Sequence, residues 1–505
     1  MAQTKPLISF VVPVYQKSPE VLEKCLKSLR DMSYKPIEII VVFDGKQDDM
    51  RLYEIPLKYT KPELFVEIEH GGAPVARNAG YRYATGTYVS FWDADCYAKP
   101  EMAKRWIQEF EESKADFVYS GYEFLDKAGT VASHPFDPWM LTCGNYIATM
   151  FPMKREIFPG FDESLEGAQD WDLWLTLAEK GFVGSYIAGE GFVTEPPSPE
   201  SISGKAWNNE NYRRTFDTIK HKHHIPDREI VICSEEDSIK GSHIARLMGN
   251  ADFHTQLDPR RGDYKLAFCL GISFQNILAF EALNFKTVKV LYWRSKDIEA
   301  FENYGLLPSI NLLEKFKSIM NVHYVNEIMS QKRLKRIFDF MGYEKPTILS
   351  LPSDVEEAET KLPESFRVLL DIDEMYMPVF RTVKQDMPYI RIDDLNWKTN
   401  PMVNVSDYSL LLSFQKFPTV NESIRRFLIN GRNVISNVSA PYCGLFDMEV
   451  NMKDFKTSLI ERIRESRQLA FNQEAQDFYK AQVSPEYFAS KIKALLPVPE
   501  MEVVS

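Results

Sequence analysis

No CxxC pair, no basic cluster and no long apolar run stands out in this sequence, and each absence removes a class of function. The six cysteines, at positions 25, 96, 143, 233, 269 and 443, lie far apart without metal-type spacing. That is the pattern of scattered thiols in a reducing compartment, and no disulfide framework is expected. The net charge of −12 does not favour nucleic acid as a partner, because such binding rests on clustered Lys and Arg that displace counterions. The most apolar later stretch, 266–280 (LAFCLGISFQNILAF), is broken by Ser, Gln and Asn and is shorter than the roughly 20 residues a membrane-spanning helix needs. The opening MAQTKPLISFVVPVY has no apolar run apart from its first strand and no small-residue cleavage site, so no secretory leader and no transmembrane segment are expected. A cytoplasmic location follows as the expectation, one that leaves room for peripheral attachment to a membrane.

What is present is an ordinary globular composition, 44% apolar and 26% charged, over 505 residues. That length calls for more than one hydrophobic core. From Leu7 onward, short β-branched runs (ISFVVPVY, IEIIVVF, TYVSF) alternate with helical segments such as PEVLEKCLKSLRDM and 73–84. This rhythm predicts a parallel α/β sheet covered on both faces. A polar segment rich in Pro, Ser and Asn (195–211) and a helix ending in HKHH then precede a second series of apolar runs, among them EIVIC, YKLAFCL, TVKVLYW and YSLLLSF. The reading is two domains, 1–224 and 225–505, both α/β.

Ligands in such sheets sit at the carboxyl ends of strands, and three strand ends carry candidate chemistry. Asp44-Gly45 follows IEIIVVF as either a simple turn or an acceptor for a nucleobase or ribose. A glycine pair, Gly71-Gly72, opens a helix containing Arg77 and Asn78, where the helix dipole and a guanidinium fork suit a diphosphate as well as a solvated face suits them. Asp93-Ala94-Asp95 directly follows YVSFW, and its two carboxylates, spaced i, i+2, point the same way. One can serve the ribose side and the other a hard cation bridging phosphates. A fourth feature, Asp170-Trp171-Asp172, opens an apolar-periodic helix, where Asp170 is either a cap or a general base. Trp171 and Trp174 on that helix read as core. The cluster His221, His223 and His224 has no acids or cysteines at ligand spacing, which argues against metal.

Taken in register, ISFVVPVY, EIIVVFDG, the G-x-P-x-ARNAG helix, GTYVSFWDAD and FPGFDESLEGAQDWDLWLTLAEKG resemble the family-2 group of inverting GT-A glycosyltransferases, over about residues 6–205. The resemblance implies a Rossmann-like nucleotide-diphospho-sugar fold and transfer of one sugar, UDP-linked by expectation, to a hydroxyl of a glycan or other acceptor. By the same resemblance Asp44 contacts the donor base, Asp93 the ribose or sugar, and Arg77 and Asn78 line the donor pocket. Pro13 and Tyr15 complete the donor-binding set, Asp95 holds Mn²⁺ or Mg²⁺, and Asp170 is the catalytic base. Three positions depart from the family pattern. Phe43 replaces the first of two acids, Gln169 replaces the first acid of a Glu-Asp pair, and Ser198 stands nearest the place of a metal-binding His. No Q-x-x-R-W element follows Asp170, so a processive synthase is not expected. The second half resembles a degenerate GT-B glycosyltransferase, a doubly wound α/β region, through TVKVLYWRSKDIEAF and DYSLLLSFQKFPTVNESIRRFLINGRNVISN. There Glu422 matches a ribose-holding acid, although a plain helix-start carboxylate is the favoured reading, and Ser413 and Gln415 occupy the region of its missing partner. Acceptor binding or assembly is the favoured role for this half. A second active transferase, or a protein in which neither half is catalytic and which binds or scaffolds glycans, are the alternatives.

Overall fold

The computed structural model describes residues 5–196 apart from 126–128 and 132, and residues 210–496 apart from 236–237, 272–273, 285, 295–296, 299–321, 326–337, 340–345, 350–361, 364, 373–375, 395–404, 415–421, 438–440 and 447–453. The chain divides into two compact units, Met1–Asp227 and Arg228–Ser505.

The first unit is built on a mixed sheet. Its strands are β1 (Ile8–Val14), β2 (Ile37–Asp44), β3 (Phe65–Ile68), β4 (Tyr88–Phe91), β5 (Cys96–Ala98), β6 (Phe117–Phe124), β7 (Thr130–Val131), β8 (Met153–Lys154) and β9 (Gly184–Thr194). They are ordered β3-β2-β1-β4-β8-β6-β9-β5, with β7 beside β6. The first four are parallel, with Val14 opposite Phe43 and Val11 opposite Phe91, so the segments after β1, β2 and β4 emerge at one edge. The expectation of a wholly parallel sheet fails beyond β4, where β8 runs antiparallel to β4 and β5 antiparallel to β9. Only four residues join β4 to β5, too few for the crossover that would set β5 parallel beside β4, and β5 pairs with β9 at the other end of the sheet instead.

Helices α1 (Pro19–Arg30), α2 (Pro56–Tyr59), α3 (Ala73–Tyr81), α4 (Met102–Ser113), α5 (Pro138–Cys143), α6 (Gln169–Glu179) and α7 (Glu210–Lys222) complete the unit. Helix α1 begins where Ser18 accepts a hydrogen bond from the Val21 N–H and Pro19 fills the first turn. It buries Leu22, Cys25, Leu26 and Leu29 at helical spacing. Helix α4 buries Met102, Trp106 and Phe110. Trp106 then joins Phe10 and Trp92 at centroid separations of 5.9 to 6.4 Å, an aromatic cluster beneath the end of β4. Trp171 and Trp174 are core as expected, each giving its indole N–H to a backbone carbonyl, of Leu141 and Ile147 respectively.

The second unit holds two parallel sheets. Strands β10 (Ile230–Cys233), β11 (Ala251–His254), β12 (Leu266–Leu270), β13 (Val288–Trp293), β14 (Val322–Val325) and β15 (Thr347–Ile348) lie in the order β11-β10-β12-β13-β14-β15. Strands β16 (Arg367–Ile372), β17 (Arg391–Asp394), β18 (Leu410–Phe414), β19 (Asn433–Ser436) and β20 (Gly444–Leu445) lie in the order β17-β16-β18-β19-β20. Both sheets reverse direction after their first strand, the mark of doubly wound folds. The helix Pro485–Lys493 closes the described chain by returning to the first of these sheets, where Phe488 meets Phe268 edge-on at 5.9 Å.

Helix α3 lies so close to the sheet that a Cβ on Gly80 would stand 2.4 Å from Val11 Cγ1 and 2.8 Å from Val42 Cγ2. Gly80→Ala is therefore expected to lower stability by about 1–3 kcal/mol through overpacking. A denaturant melt of the purified variant reads this directly, and an unshifted midpoint would show that α3 has room to move.

Candidate active site

The three strand ends at the common edge carry the charged groups. Asp44 closes β2 and is buried. Its Oδ1 accepts from the Gly71 N–H at 2.7 Å and its Oδ2 from the Gly72 N–H at 3.0 Å. Gly72, at φ 91, caps α3 in a conformation that only glycine adopts without strain. The imidazole Nδ1 of His70 sits 3.0 Å from the same Oδ2, and its ring stacks on Tyr15 at 4.2 Å with 16° between the planes. Tyr15 and His70 are about half exposed, so the pair presents a flat face to solvent beside Asp44. Pro13, inside β1 opposite Val42, is half-buried and contributes shape rather than a donor group.

Arg77, on α3, is the buried cation of the site. One guanidinium nitrogen donates to Asp93 Oδ1 at 2.7 Å and the other to Gln169 Oε1 at 3.2 Å, while Phe161 lies under the plane at 5.3 Å. Its Nε is buried without a hydrogen-bond partner. Asn78, the next residue, turns elsewhere. Its amide donates to the Phe161 carbonyl and to Glu163 at 2.9 Å and accepts from the Phe161 N–H at 2.8 Å. Asn78 thus pins the segment leading into α6, and its side-chain hydrogen bonds are to that segment.

Asp95, two residues beyond Asp93, pairs through Oδ2 with Lys17 Nζ at 2.5 Å, both side chains about one third exposed. Burial disfavours the ammonium, but Asp95 and then Asp93 outweigh it and hold the Lys17 pKa above its usual value. No group of three or more His, Cys, Asp or Glu side chains is assembled for a metal among the described residues. A hard cation here would take Asp95 from the protein and most of its other oxygens from a bound diphosphate, which is how nucleotide sites commonly hold Mg²⁺. The donor set fits that arrangement.

Asp170 stands in the first turn of α6, entered through Ala168 at φ 50. Its Oδ2 accepts from Asn145 Nδ2 at 2.7 Å and its Oδ1 from the Trp171 N–H at 2.9 Å. Loss of water around the carboxyl raises its pKa, against the opposing pull of the Trp171 N–H and the Arg77 charge, and the nearby Asp93 adds to the rise. A carboxylate of raised basicity, held by one side-chain donor and still partly open to solvent, is suited to taking a proton. Asp172 points away from it and is buried on Lys222 and His223 at 2.8 and 2.9 Å. The structure therefore brings Arg77, Asp93 and Gln169 into direct contact. It sets Asp95 with Lys17 beside them, while Asp44 with Tyr15 forms a separate corner.

Three groups at or behind the site, Lys17, Asn145 and His70, are not singled out by the sequence, and a fourth, His223, is weighed there only as a metal ligand. Lys17 lies three residues past the end of β1, so inspection of that strand end would have found it. Asn145 and His70 carry no periodic or motif signal. Both ring nitrogens of His223 meet carboxylates instead, Asp172 and Glu179. Ser198, near the place of the absent His, lies outside the described residues, as do Gln415 and the Glu422 side chain.

Residues 9–158 match the model of "Glycosyl transferase family 2". The amino-terminal unit carries a glycosyltransferase family 2 domain. An uncharacterised glycosyltransferase of Rickettsia bellii is 29% identical over 189 residues, 34% of this chain and 27% of that protein. The uncharacterised glycosyltransferase EpsJ of Bacillus subtilis is 38% identical over 120 residues, 23% of this chain and 34% of the other. The chain thus spans about a third or less of the length of these relatives. Among solved structures, that of S. aureus TarS aligns with a TM-score of 0.34 at 19% identity, covering 43% of this chain and 39% of that one. The family 2 match ends at 158, so α6 with Asp170 and α7 lie beyond it.

Replacing Asp44 by Ala removes the acceptor of two backbone N–H groups at once. Asp44→Ala is expected to cost about 1–3 kcal/mol for each donor left unsatisfied, read as a lowered unfolding midpoint. Unchanged stability would mean that water takes over both groups.

Proposed function

We propose that the chain transfers one sugar from a nucleoside diphosphate sugar, a UDP-linked donor first among candidates, to an acceptor hydroxyl with inversion of configuration. The observation that carries this reading is the edge of the family 2 domain at β4, where Asp93 stands against Arg77 and Asp95 against Lys17. Acids for ribose and cation are adjacent there to cations for phosphate. The Tyr15–His70 face and Asp44 supply an aromatic surface and an acidic edge on which a nucleobase can rest.

In this reading Asp170 takes the proton of the acceptor hydroxyl as its oxygen forms the new bond to the anomeric carbon. The bond from that carbon to the diphosphate breaks on the opposite face, and the nucleoside diphosphate leaves with the electron pair. Arg77, buried and fixed by Asp93 and Gln169, presents positive charge without having to reorganise when the leaving group becomes charged. A divalent cation, Mn²⁺ or Mg²⁺, held by Asp95, would supply further charge to the leaving diphosphate. Because Gln169 is neutral, Arg77 meets one carboxylate, Asp93, rather than two, which leaves more of its charge for a donor phosphate.

The second unit is read as an acceptor-binding or assembly partner. At or beside the carboxyl ends of β16, β18 and β19, Asp371, Ser413 and Ser436 stand near one another. None of these three supplies positive charge for a diphosphate, which supports a role other than donor cleavage.

Two measurements test the reading. Asp95→Ala is expected to lower donor turnover with Mn²⁺ by about 100-fold or more, the scale of losing several kcal/mol of charge stabilisation; wild-type turnover would end the assignment of that site. Lys17→Met removes the ammonium that shares the Asp95 oxygen, so Mn²⁺ affinity, followed by electron paramagnetic resonance with UDP present, is expected to rise about tenfold, equivalent to about 1.4 kcal/mol. An unchanged affinity would show that Lys17 does not compete for that oxygen.

A further inference from the structure

The family 2 match ends before α6, yet the carboxylate read here as the base is on α6. Asn145, inside the matched region, holds that carboxylate, and a second set of contacts from outside the region grips the helix that carries it. Helix α7 meets α6 at three points. The Phe216 ring stacks on Trp171 at 4.2 Å and 22°. Lys222 Nζ bridges Asp172 Oδ1 at 2.8 Å and Asp162 Oδ2 at 2.7 Å, the latter on the segment that Asn78 pins. The His223 side chain, 2% exposed, has Nε2 2.9 Å from Asp172 Oδ1 and Nδ1 2.8 Å from Glu179 Oε1. Asp172 and Glu179 are seven residues apart, two helical turns on one face, so one ring spans both. Trp171 and Asp172, the two residues that follow Asp170, are thus both gripped from α7.

The grip is itself fixed. Helix α7 is followed by a turn at His223 and His224, the latter at φ 51, and the Ile225 N–H returns to the Lys220 carbonyl at 2.9 Å, closing the helix end. His223 therefore occupies a helix carboxyl terminus, where the dipole favours a cation. Both of its ring nitrogens face carboxylates, which only accept, so the pattern is complete only when both nitrogens carry a proton. The charged groups that meet in this clamp are Asp172 and Glu179 from α6, Asp162 from the preceding segment, and Lys222 from α7. Three acids face two cations when the ring is charged.

We propose that His223 is a positioning residue for sugar transfer, which with Lys222 clamps Asp172 and Glu179 and so holds the first turn of α6 with Asp170 facing the acceptor hydroxyl. The proposal rests on the reading of Asp170 as the base. Burial works against a charged imidazole, but Asp172 and Glu179 outweigh it and hold the His223 pKa above its usual value of 6.5. As pH rises through that raised value the ring loses a proton, one carboxylate loses its donor, and the clamp opens on the side of Asp172 or Glu179. The donor contacts at the ends of β2 and β4 lie on other elements, so the loss falls on kcat and spares the donor KM.

The test uses the full chain, with UDP-sugar turnover and Mn²⁺ measured from pH 6 to 9.5 for wild type, His223→Gln, Glu179→Gln and Asp170→Asn, alongside thermal melts. Wild type is expected to show kcat falling at alkaline pH. His223→Gln is expected to lower kcat at neutral pH by about 10- to 100-fold, the scale of a small misplacement of a reacting group, with donor KM within about twofold and without that alkaline fall. Glu179→Gln removes an exposed acid that supports the charged ring, so it keeps the fold and moves the alkaline fall to lower pH. This second variant tests the proposal even where His223→Gln unfolds. If Asp170→Asn is inactive and Glu179→Gln keeps the wild-type profile, the clamp is overturned. If Asp170→Asn turns over donor at the wild-type rate, the base reading falls and the clamp with it.

Discussion

The site depends on one buried cation finding its partners. Arg77 is almost fully enclosed, and a guanidinium in that setting must be paired or it destabilises the fold by several kcal/mol. Its two hydrogen bonds join α3, the end of β4 and the start of α6 at a single point. That point fixes Asp93, the neighbour of Asp95, and Gln169, the neighbour of Asp170. The acids read here as serving donor, cation and acceptor are therefore positioned by a common interaction, and the remaining contacts adjust the edges of that arrangement. Asn78 sets the approach to α6, Asn145 holds the carboxylate of Asp170, and α7 grips the far face of the same helix.

The edge on which these groups sit follows from sheet topology. Strands β1, β2 and β4 are parallel and largely buried, so they read as near-continuous apolar runs and their polar successors stand out. That is why Asp44, Asp93 and Asp95 were visible as strand-end residues, and why the α/β class could be read from ISFVVPV and IEIIVVF. The antiparallel strands β5 and β8 were invisible for the opposite reason. They are two or three residues long, too short for periodicity to register.

What each candidate touches was legible to different degrees. Lys17 follows a strand end and was within reach of the rule that located the others. Asn78 sat in a motif, but the motif does not say that its amide closes onto Phe161, 83 residues away. The grip of His223 on Asp172 spans 51 residues and links a helix terminus to a helix face, a contact that no spacing rule along the chain encodes. The histidines were noticed as a cluster, and the error to avoid was treating the three as equivalent. His223 has a side chain 2% exposed between two carboxylates, whereas His224 forms the turn that ends the helix. In the second unit the parallel order and the returning final helix accord with a doubly wound region. Its partners and ligands rest on loops, which hydrophobic patterning does not describe.

The central claim is a single displacement at the anomeric carbon, performed at the edge of the first unit. Its most direct test is proton NMR of the sugar first released when the full chain hydrolyses an α-linked nucleoside diphosphate sugar in the absence of acceptor, observed before the free sugar equilibrates. The account predicts that the β anomer appears first. Release of the α anomer would contradict it, because a single displacement from the face opposite the leaving group inverts the anomeric carbon.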